Sequence, residues 1–232
     1  VRFCSDTASV AIRYGCDKTQ PTLSNFGLYG EAGLDLYIDG RYATTAIPPA
    51  KLDEPRGLVA GLSRRMREYC LYLPLYTEIV LESIGLDPGA EIRPAPAYEN
   101  PRPVVFYGTS ITQGGCAARP GLSYEAILSR ELNLDFVNLG LSGSGKGERE
   151  VAELVAEVDA SCYVLDFSQN TATPEDLEKA YLPFIETLRA RRADAPILCV
   201  TPIYWGAEST DPAWRTRQEG MRNIVRDAVK KR

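Results

Sequence analysis

Hydrophobic and polar positions follow two different rhythms along these 232 residues, and the change comes near residue 95. Before it, short stretches alternate with period two and are broken by Gly, Pro, Asn and Asp. Leu34, Leu36 and Ile38 fall on one face of a strand, and Asp39-Gly40 follows as a hairpin turn signal. Residues 67–73 and 78–84 read as two further strands around Pro74. This pattern predicts a small antiparallel β-sandwich of jelly-roll type over residues 1–95. The five prolines between Asp87 and Pro103 predict a linker, with residues 96–103 joining the two halves.

After the linker the rhythm becomes strand, loop, helix, four times over. Apolar runs at 104–107, 135–139, 162–167 and 197–201 alternate with helical patterns at 122–132, 148–158, 174–192 and 212–231. Thr173-Pro174 and Asp211-Pro212 each place an N-cap before a proline at the first helical position. Alternation at this spacing predicts a flavodoxin-like α/β domain over 104–232: a doubly wound parallel sheet, helices on both faces, order 2-1-3-4. The sequence starts at Val1 without a methionine and stops at Arg232, at a helix end where a fifth strand is due. It therefore reads as a piece cut off before that strand, with one sheet edge left for solvent or a partner chain to cover.

Composition narrows the chemistry. With 44% hydrophobic and 25% charged residues the chain is an ordinary globular one. A net charge of −5 argues against nucleic acid or an anionic membrane as the main partner. No apolar run is long enough to be inserted in a bilayer. Six cysteines lie far apart, without a C-x-x-C pair, and there is no histidine, so no metal or other cofactor is expected. A Cys4–Cys16 disulfide is open, whereas Cys162 and Cys199 read as buried free thiols. The missing histidine also removes the commonest general base. Compartment and oligomeric state stay open.

Three loops leave the carboxyl ends of the first three parallel strands, where ligands bind in such sheets. The first is Gly108-Thr-Ser110-Ile-Thr-Gln-Gly114, the second carries Gly140, Gly143 and Gly145, and the third is Ser168-Gln-Asn170. The second is one residue short of a P-loop, since Gly147 stands where a magnesium-binding Ser or Thr is needed. A phosphate-binding reading also leaves the other two loops without a role. A serine hydroxyl, free backbone amides and a carboxamide together suit acyl transfer: a nucleophile and donors aimed at a developing oxyanion.

Gly108-Thr-Ser110-Ile-Thr, the loop from Asn138 to Gly143 and Asn170 resemble the first three blocks of the SGNH (GDSL-like) esterases, in the branch with an N-terminal β-sandwich. The resemblance covers residues 103–201. It implies Ser110 as nucleophile, with the Ser110 amide, the Gly143 amide and the Asn170 side chain as oxyanion hole. It implies no cofactor, and a small-molecule ester as substrate, an acetylated carbohydrate being one candidate. The third block departs from the usual Gly-x-Asn-Asp, reading Phe167-Ser-Gln-Asn170, and the Asp-x-x-His block that follows the fifth strand is not among these residues. An acyltransferase, or a carbohydrate-binding protein without catalysis, would carry the same three loops.

Single residues have plainer readings beside these. An isolated serine after a strand is more often a helix cap, and the three glycines could simply turn a tight connection. Asp166, inside an apolar strand, is expected to brace the loop beside it by hydrogen bonds. Arg119 and Tyr124 are candidates to line an acyl pocket, Lys146 reads as a loop-bracing cation, and the tyrosines of the β half read as packing.

Overall fold

The computed structural model describes residues 1–231; the last residue of the expected second domain, Arg232, lies outside them. The chain divides into two compact units, Val1–Tyr98 with Gly114–Leu132, and Glu99–Gln113 with the chain from Asn133 onward.

The first unit contains eight strands: β1 (Arg2–Ser5), β2 (Val10–Gly15), β3 (Leu34–Ile38), β4 (Arg41–Ala46), β5 (Arg56–Val59), β6 (Arg67–Tyr72), β7 (Val80–Leu86) and β8 (Ile92–Pro94). They form two antiparallel sheets, β4-β3-β6-β1-β8 and β5-β2-β7. Val10, Ile12 and Tyr14 of β2 meet Leu34, Leu36, Tyr69 and Leu71 of β3 and β6 in one apolar core. The expected sandwich is present. The β3–β4 turn has φ of 49° at Asp39 and 74° at Gly40, the left-handed pair that an Asp-Gly hairpin adopts. The strand expected at 78–84 runs from Val80 to Leu86, because pairing with β2 sets its register.

The other face of β3 departs from a simple amphipathic strand. Asp35 and Tyr37 alternate with the core leucines, yet both are buried. The segment Gly114–Leu132, which includes helix α3 (Tyr124–Leu132), covers them. The Asp35 carboxylate accepts hydrogen bonds from Thr45 Oγ1 (2.6 Å), Arg119 Nη1 (3.0 Å) and Gly121 N (2.9 Å). Arg119 therefore stays in the first unit, also donating to the Tyr37 hydroxyl at 2.6 Å. A buried carboxylate is tolerated only when paired and hydrogen-bonded, and this one is both. The short helix α1 (Leu28–Ala32) completes the unit.

The second unit holds four parallel strands, β9 (Asn100–Gly108), β10 (Leu134–Gly140), β11 (Cys162–Asp166) and β12 (Ile197–Cys199), in the order β10-β9-β11-β12. This is the expected 2-1-3-4 order. Alternate residues Val105, Tyr107, Tyr163 and Leu165 face a core built with helices α4 (Arg149–Val155), α5 (Pro174–Arg191) and α6 (Pro212–Lys230). Both expected caps are made. Thr173 Oγ1 accepts from Asp176 N at 3.1 Å, and Asp211 Oδ1 accepts from Ala213 N at 2.9 Å. All six cysteines are free, so the Cys4–Cys16 disulfide left open by the sequence is not formed. Cys162 and Cys199 are partly buried, and burial raises both thiols above the ordinary value. No described helix is long and apolar enough to cross a membrane.

Candidate active site

The register of the parallel sheet organises the site. Gly108 of β9 stands opposite both Gly140 of β10 and Asp166 of β11, so three strands end at one level. Ser110 lies two residues beyond Gly108, at the start of the one-turn helix α2 (Ser110–Gln113). Gly143 follows Gly140 by three residues. Asn170 follows Asp166 by four and ends a 3-10 turn, Ser168–Asn170. All three candidates thus leave the same end of the sheet on adjacent strands.

Two glycines of the second loop differ in what requires them. A β-carbon on Gly140 would run into the backbone of Gln113, so glycine lets α2 lie against the end of β10. Gly143 has φ of 70° and open space where a β-carbon would be. Among the described residues its amide has no hydrogen-bond partner. A left-handed residue with a free amide can receive an oxyanion.

Side chains the sequence did not single out hold the loops together. Asn138 Nδ2 donates to Thr112 O at 2.7 Å and its Oδ1 accepts from Gly140 N at 2.8 Å. Gln113 Oε1 accepts from Ser142 N at 2.9 Å. Leu141 O accepts from Ser144 N, Gly145 N and, at 3.3 Å, Asn170 Nδ2. A carboxamide carries two N–H donors, so one remains for a ligand. Tyr107, from below, accepts from Gly147 N at 2.9 Å. Their sequence signal was weak because single polar residues at strand ends are common.

Asp166 is buried and accepts from Gln169 Nε2 (3.2 Å) and Thr112 Oγ1 (3.4 Å), tying the third loop to α2. Burial pushes its carboxyl up to about 6, with the two hydrogen bonds opposing that shift. Lys146 is exposed; its amide donates to Glu148 Oε2 at 3.2 Å. Among the described residues no cluster of His, Cys, Asp or Glu could hold a metal.

Beside β11, Val200 N donates to Leu165 O at 2.9 Å, so the chain leaving β12 departs from the same sheet end. There Ile203, Tyr204 and Trp205 are exposed. Their backbone is clamped by Arg222 of α6, which donates to Pro202 O and Ile203 O, each at 3.1 Å, and to both Glu208 oxygens at 2.7 Å. Glu208 in turn accepts from Trp205 N at 2.8 Å. The Arg222 hydrogen bonds hold the Glu208 carboxyl down to about 2.

The fold is shared with proteins of known structure. The chain is 32% identical to a Bacteroides ovatus protein assigned as a GDSL-like lipase, with a TM-score of 0.88, covering 99% of this chain and 68% of that one. A salicylyl-acyltransferase from a tetracycline biosynthetic pathway shares the fold at 22% identity and a TM-score of 0.79, with 99% and 65% covered. A family two carbohydrate esterase from Clostridium thermocellum, in complex with cellohexaose, does so at 19% and 0.70, with 99% and 76% covered. The chain thus spans about two thirds of the length of the first two. No curated protein sequence matches it significantly. Residues 1–92 match the N-terminal region of SGNH-hydrolase-type esterases named for a GxDLY motif, which is Gly33-Leu-Asp35-Leu-Tyr37 here. Residues 101–232 match the GDSL-like Lipase/Acylhydrolase family, and the chain belongs to that family.

Proposed function

We propose that the chain carries the nucleophile and oxyanion hole of a serine ester hydrolase acting on a small acyl ester, such as an acetyl group on a carbohydrate. The observation that carries this reading is the register of Gly140, Gly108 and Asp166, from which the loops bearing Gly143, Ser110 and Asn170 depart together. Ser110 Oγ would attack the acyl carbonyl, and the tetrahedral oxyanion would accept from the Ser110 and Gly143 amides and from Asn170 Nδ2. Collapse expels the alcohol and leaves an acyl-serine, which water then hydrolyses. The Ser110 proton needs an acceptor, and the 232 residues contain no histidine. The carbohydrate part rests on the names of the carbohydrate esterases that share the fold.

An acyltransferase would use the same first half-reaction, as the similarity to the salicylyl-acyltransferase suggests, and would differ only in the acceptor. The test is acetate release from an acetylated xylo-oligosaccharide and from p-nitrophenyl acetate by the full-length protein, with and without an added alcohol. Loss of turnover in Ser110→Ala at unchanged Tm is the expected result. Turnover that survives the change removes Ser110 from the mechanism, and an alcohol-dependent rate with acylated alcohol as product selects the transferase.

A further inference from the structure

The tip of the β3–β4 hairpin borders a concavity of about 540 Å³ lined by Ile38, Asp39, Arg41, Tyr42, Leu62, Arg65 and Arg67, among others. Three arginines against one aspartate give it a local charge of +2 on a chain whose net charge is −5. Asp39 is already committed: Oδ2 to Arg65 Nη2 at 3.1 Å and Oδ1 to Glu68 N at 3.0 Å. Arg67 is 7% exposed, and among the described residues it has no carboxylate partner. Its guanidinium donates to neutral oxygens, Ser63 O (2.6 Å), Arg65 O (3.3 Å) and Ser63 Oγ (2.9 Å), and also bonds the Tyr69 hydroxyl. Arg41, at the rim, has neither a hydrogen bond nor an ion pair among the described residues. A buried cation without a counter-ion is costly, and a neighbouring unpaired guanidinium in the same concavity adds to the positive field.

We propose that this concavity on the β-sandwich is a binding site for an oxyanionic group, a carboxylate or phosphate, on a small molecule or glycan. Arginine presents its N–H groups in a planar fork that matches either group. Ile38, Leu62 and the half-exposed Tyr42 ring offer an apolar wall for the body of the ligand. A uronic acid combines such a carboxylate with a ring, and a sugar phosphate presents the other anion. The site lies wholly within the first unit and does not depend on the esterase reading, because binding is measured without turnover.

The test is isothermal titration with glucuronate, inorganic phosphate and, as neutral control, glucose, each repeated at low and high salt. Saturable binding of glucuronate or phosphate, with no heat from glucose, is expected. The stronger anion identifies the ligand type. Arg41→Ser removes a side chain without partners, so the fold should be retained, and it should weaken Kd about tenfold. Arg65→Ser should weaken it less, since Asp39 already neutralises that charge. No saturable binding of either anion, or an unchanged Kd in Arg41→Ser, overturns the proposal. So does an affinity for chloride equal to that for both anions.

Discussion

Asn170 Nδ2 donates to the carbonyl of Leu141 at 3.3 Å, which ties the proposed carboxamide donor to the loop that carries Gly143. The two proposed oxyanion donors, on loops from different strands, are thus linked through one hydrogen bond. Preorganisation of this kind is what makes such donors effective, because no reorganisation is needed as charge develops.

On that basis Asn170→Ala in the full-length protein should lower kcat by about 10²–10³ with little change in KM. Steady-state kinetics on an acetyl ester decide it. A large rise in KM at preserved kcat would make Asn170 a ground-state binding residue instead.

Gly140→Ala and Gly143→Ala should separate structure from activity. The first drives a methyl into the Gln113 backbone and should give the larger fall in Tm, with α2 displaced. The second meets no atom, and its cost is the left-handed φ, about 1–2 kcal/mol. It should nevertheless reduce turnover, since its amide direction changes. Equal Tm losses for the two would contradict the packing described above.

Asp166 predicts a pH dependence with a definite sign. Its folded carboxyl titrates near 6, above the ordinary value of 3.8, so between these values the folded state holds a proton that the unfolded chain releases. This contribution is favourable below pH 3.8 and fades as pH rises through 6, by on the order of 2–3 kcal/mol. Asp166→Asn should therefore gain stability relative to the parent between pH 4 and pH 7.5. Denaturant midpoints at the two values measure it, and a constant difference would refute it.

Glu208 has the opposite sign. Its carboxyl, held near 2, adds stability above the unfolded value of 4.5, and that stability is lost as pH falls toward 2. Glu208→Gln should lower Tm at pH 7, and the difference should shrink as pH falls from 4.5 toward 2. It should also loosen Trp205, visible as a change in tryptophan emission.

The last prediction concerns the proton acceptor. In a well-studied serine hydrolase, removing the histidine costs roughly 10⁶ in kcat, and about 10³–10⁴ over water remains from the oxyanion hole and binding. Residues 1–232 assayed alone should be close to inert toward esters. Robust turnover, abolished by Ser110→Ala, would require a base of another kind among these residues.

The parallel sheet order and both proline-capped helices were legible because each rests on local signals: apolar runs, an N-cap, a proline at the first turn. The placement of Ser110, Gly143 and Asn170 on one sheet end followed from the same order. Asp35 was not legible. In a strand reading Leu-Asp-Leu-Tyr-Ile its side chain falls on the face that alternation assigns to solvent. What buries it comes from Arg119 and Gly121, more than 80 positions away. The braces at Asn138 and Gln113 were missed for a similar reason: each bonds to backbone of a different loop, and no spacing announces that.

The insertion of Gly114–Leu132 into the first unit has a consequence for biosynthesis. As the chain emerges from the ribosome, the sandwich strands are all present by residue 98, but the Asp35 carboxylate still lacks Arg119 and the Gly121 amide. Nascent chains of that length would leave the Asp35 carboxylate and the Tyr37 ring uncovered, the carboxylate short of two partners. Completion waits until β9 and α2, which belong to the other unit, have been made and passed. The two halves are therefore interleaved in time. A boundary drawn after residue 98 for expression would leave the first unit unfinished, whereas one drawn after residue 132 would supply what Asp35 requires.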